Sequence, residues 1–272
     1  MSVTKDASGR RSVQVEVEVP GTPEDVWQAI ATGPGISSWF VPAAFEEKDG
    51  KPVALTLTFG PGLESRSVVT AWDPPHRFAK ESKGWVPGSP PIADEWTVEA
   101  RRGGTCIVRI VHSLFASTDD WDNQLEGTKS GWSGFFRTLR IYLTHFAGQR
   151  SAIMQFVLPV PGTEAEAWDA LTSALGMQDL AVGQHRTAPE GVPAFGGVVE
   201  HVTLNPYDAL LRMDTPGPGV AALGAFHLDG QSSVALNFYH YGDHAVETVA
   251  RETQRWQTWM RERFPSPDDA KR

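Results

Sequence analysis

Apolar and polar residues alternate strictly over residues 13–19, where valines occupy every second position and a glutamine and two glutamates lie between them. A period of two residues predicts a half-buried β-strand. Thr22 follows as an N-cap residue, and Pro23 stands at the first helical position, where its missing N–H costs nothing. The folded part of the chain is therefore predicted to begin with a strand, a tight turn and a helix.

The next part of the chain has the pattern of an antiparallel sheet closed by a long helix. Short β-type runs are separated by Asp-Gly, Gly-Pro-Gly, Asp-Pro-Pro and Gly-Gly, which are turn signals. From about residue 117 to 145, large apolar side chains recur at steps of three and four, as in a helix with one buried face. The predicted strands cover residues 53–59, 66–72, 77–82, 94–101 and 105–114.

The beginning of this pattern occurs twice. V-P-G-T-P-E-D-V-W at 19–27 returns as V-P-G-T-E-A-E-A-W at 160–168, an offset of 141 residues, and Met154, Phe156, Leu158 and Val160 take the places of the four valines. Further strands follow at 197–204, 209–213, 221–228 and 233–241, and a closing helix is predicted from about 243 to 264. The second copy is shorter and has no counterpart of residues 33–42.

This order of elements, together with specific motifs, resembles the SRPBCC superfamily (START, birch-pollen-allergen-like), in particular the branch named after the activator of heat-shock-protein ATPase. The resemblance covers nearly all of residues 12–147, and the second copy resembles the family in a degenerate form. The resembling motifs are P-G-T-P-E-D-V-W-Q-A-I at 20–30, G-I-S-S-W-F at 35–40, W-D-P-P-H-R-F at 72–78, G-G-T-C-I-V-R-I-V-H-S at 103–113 and G-W-S-G-F-F-R-T-L-R-I-Y-L at 131–143.

The resemblance implies an α+β protein of two tandem helix-grip domains, each a curved antiparallel sheet wrapped around a long C-terminal helix. It also implies a hydrophobic cavity between sheet and helix, which superfamily members use for lipids, polyketides, hormones and other apolar compounds. It implies no single reaction, because a fold transfers no function without a site. The expected boundaries are a mobile N-terminal tail (1–11), a first domain (12–148), a second, shorter domain (152–265) and a C-terminal tail (266–272).

Composition and charge narrow the range of partners. The 272 residues are 40% hydrophobic and 21% charged, as in a soluble globular protein, and no apolar run is long enough for a membrane span. The net charge of −9 without a dense Lys/Arg patch predicts no nucleic-acid partner. One cysteine and no secretory signal fit a cytoplasmic protein. The sequence leaves the oligomeric state open, a homodimer included.

Strand alternation nominates a ligand-binding wall in the first domain. In the last strand of this domain, Cys106, Val108, Ile110 and His112 share one face, and we expect this face to point toward the long helix. Aromatic and apolar residues on neighbouring elements would complete the wall, which is the usual lining of a small-molecule site. The predicted ligand-binding residues are Trp39, Leu57, Phe59, Trp85, Trp96, His112, Trp132 and Phe136.

Two of these residues have an alternative interpretation. His112 could be the polar anchor of the pocket, or a histidine that is hydrogen-bonded for structural reasons. Trp85 lies in the loop G-W-V-P-G-S-P-P at 84–91, which could be a lid over the pocket or an ordinary hairpin connection. Most of the ten tryptophans are expected in the core, because indole burial is strongly stabilising.

Other chemistry has little support in the sequence. His240 and His244 are four residues apart, but a Gly-Asp pair lies between them and marks a turn, and neither HExxH nor CxxC occurs. Phosphate-loop and dinucleotide motifs are absent as well, so we expect no metal and no cofactor. Ser113 is expected to point away from His112 across the strand, which does not suit proton transfer between the two side chains.

Three functions follow as hypotheses. The first is binding of a hydrophobic or aromatic small molecule in the cavity of the first domain. The second is a cyclase- or hydrolase-like reaction in the same cavity with His112 as base, which requires an acid or hydroxyl beside His112. The third, stimulation of a heat-shock ATPase as a co-chaperone, depends on the family resemblance alone.

Overall fold

The computed structural model describes residues 3–6, 10–60, 62–83, 90–115, 122–204, 207–228 and 230–265. The chain divides into two compact units, residues 1–147 and 148–272. The loop around Trp85 and the C-terminal stretch 266–272 lie outside the described residues.

The first domain is built on an eight-stranded antiparallel sheet. The strand order across the sheet is β1-β2-β8-β7-β6-β5-β4-β3. Its β1 pairs with the beginning of β2, which places part of the predicted N-terminal tail in the sheet. The strands are β1 (Thr4–Lys5), β2 (Arg11–Pro20), β3 (Ala43–Lys48), β4 (Lys51–Gly60), β5 (Leu63–Asp73), β6 (Arg77–Ser82), β7 (Ile92–Arg101) and β8 (Thr105–Leu114).

Three helices complete the first domain: α1 (Pro23–Ile30), α2 (Gly33–Ser37) and α3 (Asp122–His145). The Thr22 side chain accepts from the Asp25 backbone N–H, and the Asp25 carboxylate accepts from the Thr22 backbone N–H, so α1 begins with a full capping box. Trp27 on α1 packs against two aromatic rings of the sheet, Trp72 at 5.0 Å and Phe78 at 5.8 Å between centroids. The small helices therefore lie on the same face of the sheet as the aromatic residues.

The second domain repeats this order with fewer elements. A six-stranded antiparallel sheet has the order β10-β11-β12-β13-β14-β9, and the capping box of Thr22 returns at Thr163 with Glu166. The elements are β9 (Ser151–Val160), α4 (Glu164–Leu175), β10 (His185–Thr187), β11 (Gly196–Leu204), β12 (Tyr207–Thr215), β13 (Gly219–Leu228), β14 (Gln231–Tyr241) and α5 (Ala245–Arg263).

The two sheets confirm the predicted fold class, α+β with tandem helix-grip domains. Three short strands of the described residues were not predicted, namely β1, β3 and β10. All three lie at sheet edges, where a strand is covered on fewer sides and alternation is weak. No described helix is both long and apolar enough to cross a membrane.

Candidate functional site

The predicted lining residues of β8 lie on the covered face of the first sheet. Cys106, Val108, Ile110 and His112 are buried, whereas Ile107, Arg109 and Val111 between them are partly exposed. Strand pairing extends this face across the sheet, because directly opposite residues in paired strands point to the same side. Ile110 lies opposite Trp96, and Trp96 lies opposite Phe78.

Aromatic rings from four elements form a layer on this face, which we call the aromatic wall. Trp96 lies 5.2 Å from Trp132 and 5.7 Å from Phe136, centroid to centroid, and Trp39 lies 6.2 Å from Trp96. Phe40, which was not predicted, connects Phe59 at 5.8 Å with Trp132 at 5.1 Å. The wall consists of Trp39, Phe40, Phe59, Trp96, Trp132 and Phe136.

The rings of the aromatic wall pack against one another, and most of them are core residues. Trp39 is 1% exposed, and its indole N–H donates to the Ala29 carbonyl at 2.9 Å. Leu57 is buried as well, whereas Phe59 and Trp132 are half-buried at the edge of the layer. Any ligand of the wall would therefore meet Phe59 and Trp132 before the deeper rings.

Two clefts lined by described residues lie away from the aromatic wall. One, of about 170 Å³, lies against β6 and β7, and its lining includes Arg77, Glu95, Lys80 and Asp94. The other, of about 550 Å³, lies between the α1–α2 junction and the β3–β4 hairpin.

A chain of charged and polar side chains is set into the same face beside the wall. The Lys80 ammonium lies 2.5 Å from Asp94 Oδ2, and His112 Nδ1 lies 2.5 Å from Asp94 Oδ1. Lys80 Nζ also lies 3.5 Å from the hydroxyl of Ser67. All four residues are buried. Neighbouring strands bring them together, because Asp94 lies opposite Lys80 on one side and opposite His112 on the other.

This geometry determines which nitrogen of His112 carries a proton. A carboxylate can only accept hydrogen bonds, so Nδ1 donates to Asp94. In the neutral ring Nε2 is then an acceptor with a lone pair, and no described residue is bonded to it. His112 is therefore held by Asp94 in the tautomer that leaves Nε2 available to a ligand or to a reacting proton.

The electrostatics of Asp94 follow from its two partners. Burial by itself raises the pKa of a carboxyl group, but the charge of Lys80 and the interaction with His112 outweigh burial and lower the pKa of Asp94 well below its ordinary value. Asp94 is therefore ionised at neutral pH. With a neutral imidazole, the Lys80–Asp94–His112 chain carries no net charge.

Sequence analysis nominated His112 but missed Asp94, Lys80 and Ser67. Strand alternation could have found two of them, since Asp94 lies two residues before Trp96 and Lys80 lies two residues after Phe78, which places both on the same face as these rings. Charged residues on the buried face of a strand are unusual and point to a special environment. Ser113 points to the opposite face, as predicted, and lies opposite Ser12 and Ala93 in the two neighbouring strands.

The second domain has apolar residues at the corresponding positions. Val13 lies opposite His112, and Met154, 141 residues later, lies opposite Phe238. Further along the ladders, Phe238 lies opposite Ala221, and Ala221 lies opposite Leu211. Lys80, Asp94 and His112 therefore correspond to Leu211, Ala221 and Phe238, and these three are at most 1% exposed.

The pair His240 and His244 does not form a metal site in the structure. His244 is the N-cap residue of α5 and interacts with Glu247 at 3.2 Å, whereas His240 is buried in the sheet. Within the described ranges, no group of three or more His, Cys, Asp or Glu side chains could hold a metal ion.

The first domain is similar in sequence to one known family. Residues 10–141 match the family model described as polyketide cyclase / dehydrase and lipid transport. The match spans nearly the whole first domain and just under half of the chain. The chain is a tandem helix-grip protein of the SRPBCC superfamily, as the motifs predict. A search of the curated proteins gave no match.

Several solved structures are similar to the chain at low identity. The di-domain ARO/CYC BexL from the BE-7585A biosynthetic pathway is 11% identical over 94% of this chain and 99% of its own, with a TM-score of 0.45. DynU16 from the dynemicin biosynthetic locus is 16% identical over 91% and 94%, with a TM-score of 0.42. The Aha1 dimer from Colwellia psychrerythraea is 20% identical over 48% and 95%, with a TM-score of 0.37. With TM-scores below 0.5, these likenesses carry no argument about function.

Proposed function

We propose that the first domain, which matches the polyketide cyclase / dehydrase and lipid transport family model, binds a hydrophobic or aromatic small molecule against the aromatic wall, with His112 as its polar anchor. The observation that carries the proposal is the buried Lys80–Asp94–His112 chain, which leaves Nε2 of His112 without a described partner. A mostly apolar surface with one oriented polar group is the usual composition of a small-molecule site.

The second domain supports a functional role for this chain of charges. Its sheet has the same strand pairing with Leu211, Ala221 and Phe238 at the corresponding positions, so the fold does not need charged residues there. Burying two charges and an imidazole costs free energy that an apolar set avoids. We infer that the first domain keeps them for a ligand.

The tautomer of His112 indicates which polar group the ligand carries. Nε2 accepts a hydrogen bond in the neutral ring, so a hydroxyl or phenol on an aromatic skeleton suits it best. The skeleton would lie against Trp132 and Phe59, the half-buried rings at the edge of the wall.

A titration with 2-naphthol and the matched hydrocarbon 2-methylnaphthalene tests the proposal, with native mass spectrometry of the purified protein to detect any retained compound. We expect 2-naphthol to bind more tightly, and His112→Phe to weaken its binding about tenfold through loss of a hydrogen bond made away from water. The control variant His240→Phe, in the second domain, should bind as the wild type does. Binding of neither probe together with no retained compound would contradict the proposal.

A second candidate, acid–base catalysis in the same place, is favoured by the contact between Asp94 and His112. The carboxylate orients the imidazole and stabilises it when it takes up a proton, as a general base requires. Because Ser113 faces the other side of the sheet, a cyclase-like proton abstraction suits the geometry better than a serine nucleophile.

Turnover of enolisable aromatic β-carbonyl compounds, followed as a function of pH, tests this candidate. Asp94→Asn should reduce the rate and shift the pH profile while the protein still binds 2-naphthol. Unchanged turnover in His112→Ala would contradict the catalytic hypothesis and leave the binding hypothesis standing. Co-chaperone activity, a cytoplasmic location and a homodimer remain predictions, which a chaperone pull-down, cell fractionation and light scattering would test.

A further inference from the structure

The larger cleft of the first domain lies outside the aromatic wall. It has a volume of about 550 Å³, within the range of small-molecule sites, and none of the eight residues predicted for ligand binding is among its described lining residues. Phe78 separates the cleft from the wall, since its ring contacts Trp72 on one side at 5.7 Å and Trp96 on the other at 5.8 Å.

Local sequence explains why this cleft exists. The start of α2 approaches β3 so closely that a Cβ atom on Gly33 would lie 2.8 Å from the Ala43 carbonyl oxygen. Beyond this contact the β3–β4 hairpin extends from Ala43 toward Gly50, and the α1–α2 junction forms the opposite side of the cleft. The second domain has neither an α2 nor a β3 counterpart in its described part, so the feature is specific to the first domain.

Three aromatic rings line the cleft. Trp72 lies 5.0 Å from Trp27 and 5.5 Å from Phe45, centroid to centroid, both in edge-to-face arrangements. Trp27 is buried, whereas Trp72 and Phe45 are half-buried. Indole and phenyl rings in such a group attract cations through the negative charge of their faces.

A single charged side chain, Glu47, is found among the described residues that line the cleft. Phe45 and Glu47 of β3 both line the cleft, and Glu46 between them is not among its described lining residues. The pairing of β3 with β4 shifts register between Glu46 and Glu47. Glu47 has no ion-pair partner among the described residues, whereas Glu46 binds Arg66 through both oxygens, at 2.9 and 2.7 Å. The cleft therefore combines three rings with one unpaired carboxylate and no cation.

We propose that this cleft is a second binding site, selective for small organic cations in which a protonated or quaternary amine is attached to a flat apolar group. The amine would lie near Glu47 and the faces of Trp72 and Phe45, and the apolar group would fill the space toward Trp27 and the α1–α2 junction. The site does not depend on the function proposed for the aromatic wall.

Three naphthalene probes of equal ring and different charge test the selectivity: (1-naphthylmethyl)trimethylammonium, 1-naphthylmethanol and 1-naphthylacetate. Calorimetric titration should rank them in that order of affinity. In nuclear magnetic resonance spectra, the cation should shift the indole N–H signals of Trp27 and Trp72, each assigned with its Trp→Phe variant.

Glu47→Gln should weaken the cation about tenfold and leave the alcohol unchanged, since one charge pair near a protein surface contributes on this scale. The matched control Glu46→Gln, one residue away in β3, should bind all three probes as the wild type does. Trp132→Leu, which alters the aromatic wall, should also leave the cation's affinity unchanged. Equal affinity for cation and alcohol, or equal effects of Glu46→Gln and Glu47→Gln, would overturn the proposal.

Discussion

Lys80, Asp94 and His112 in the first domain and Leu211, Ala221 and Phe238 in the second occupy the same positions of the same antiparallel pairing. In the first domain three ionisable side chains are buried and bonded to one another beside the aromatic wall. In the second domain the three corresponding residues are apolar, and Phe238 packs there against Phe195 and Trp256.

Comparing the two domains distinguishes residues that the fold needs from residues that a functional site needs. In both domains the first long strand is followed by a capped helix that buries a tryptophan in its first turns, Trp27 or Trp168, so these features belong to the fold. The charged chain occurs in one domain only and is expensive to bury, so it belongs to a site. A duplicated chain thus provides an internal control for its own functional residues.

The largest effect is expected from breaking the charged chain at its centre. Asp94→Ala leaves Lys80 and His112 buried without their shared partner, which should lower the free energy of unfolding of the first domain by about 3–5 kcal/mol. Amide hydrogen exchange in β6, β7 and β8 measures this loss separately from the second domain.

The matched control replaces the three charged-chain residues of the first domain with the apolar residues found at the corresponding positions of the second domain. The triple variant Lys80→Leu, Asp94→Ala and His112→Phe removes all three ionisable groups of the chain at once and should be about as stable as the wild type. It should also fail to bind 2-naphthol. A triple variant as unstable as Asp94→Ala would show that the chain is needed for folding.

Lowering the pH should cause an intermediate loss of folding stability, and the second domain should lose stability at a higher pH than the first. Burial lowers the pKa of His240 to about 4, and neither ring nitrogen has a described hydrogen-bond partner. Because the unfolded chain takes up this proton near pH 6.5, stability present above pH 6.5 should decline as the pH falls toward 4, by about 3 kcal/mol in all. The lowered pKa of Asp94 acts only at lower pH, below about 4.

Amide exchange of β13 and β14 between pH 7 and pH 4.5 checks the titration of His240. His240→Phe should flatten the pH dependence in these strands without changing β7 and β8. An unchanged slope in that variant would assign the acid sensitivity to another group.

The smallest loss of stability is expected from the helix caps, which are the same in both domains. Thr22→Ala and Thr163→Ala each remove the hydroxyl that accepts from the N3 backbone N–H, at 3.2 Å in α1 and 3.3 Å in α4. Each should cost its own domain about 1 kcal/mol. Chemical denaturation of the two variants measures the losses, and the Ser variants should restore most of the stability. Clearly unequal losses would contradict the equivalence of the two caps.

The fold class, the duplication and the central strands and helices could be predicted from the amino-acid sequence, because they follow from local periodicity, turn residues and caps. Alternation also placed His112 on the covered face of β8. The edge strands β1, β3 and β10 were missed, since an edge strand is covered on fewer sides and its pattern is weak. Glu47 and the cleft beside it were missed with β3.

The contact of Lys80 and His112 with Asp94 could not be predicted from the sequence and is seen only in the folded sheet. These residues are 14 and 18 positions apart, and strand register alone makes them neighbours. A shift of one residue in either pairing would turn the side chains to opposite faces. Their bonding, the tautomer of His112 and the contrast with the second domain are therefore properties of the paired sheet, which periodicity along a single strand does not contain.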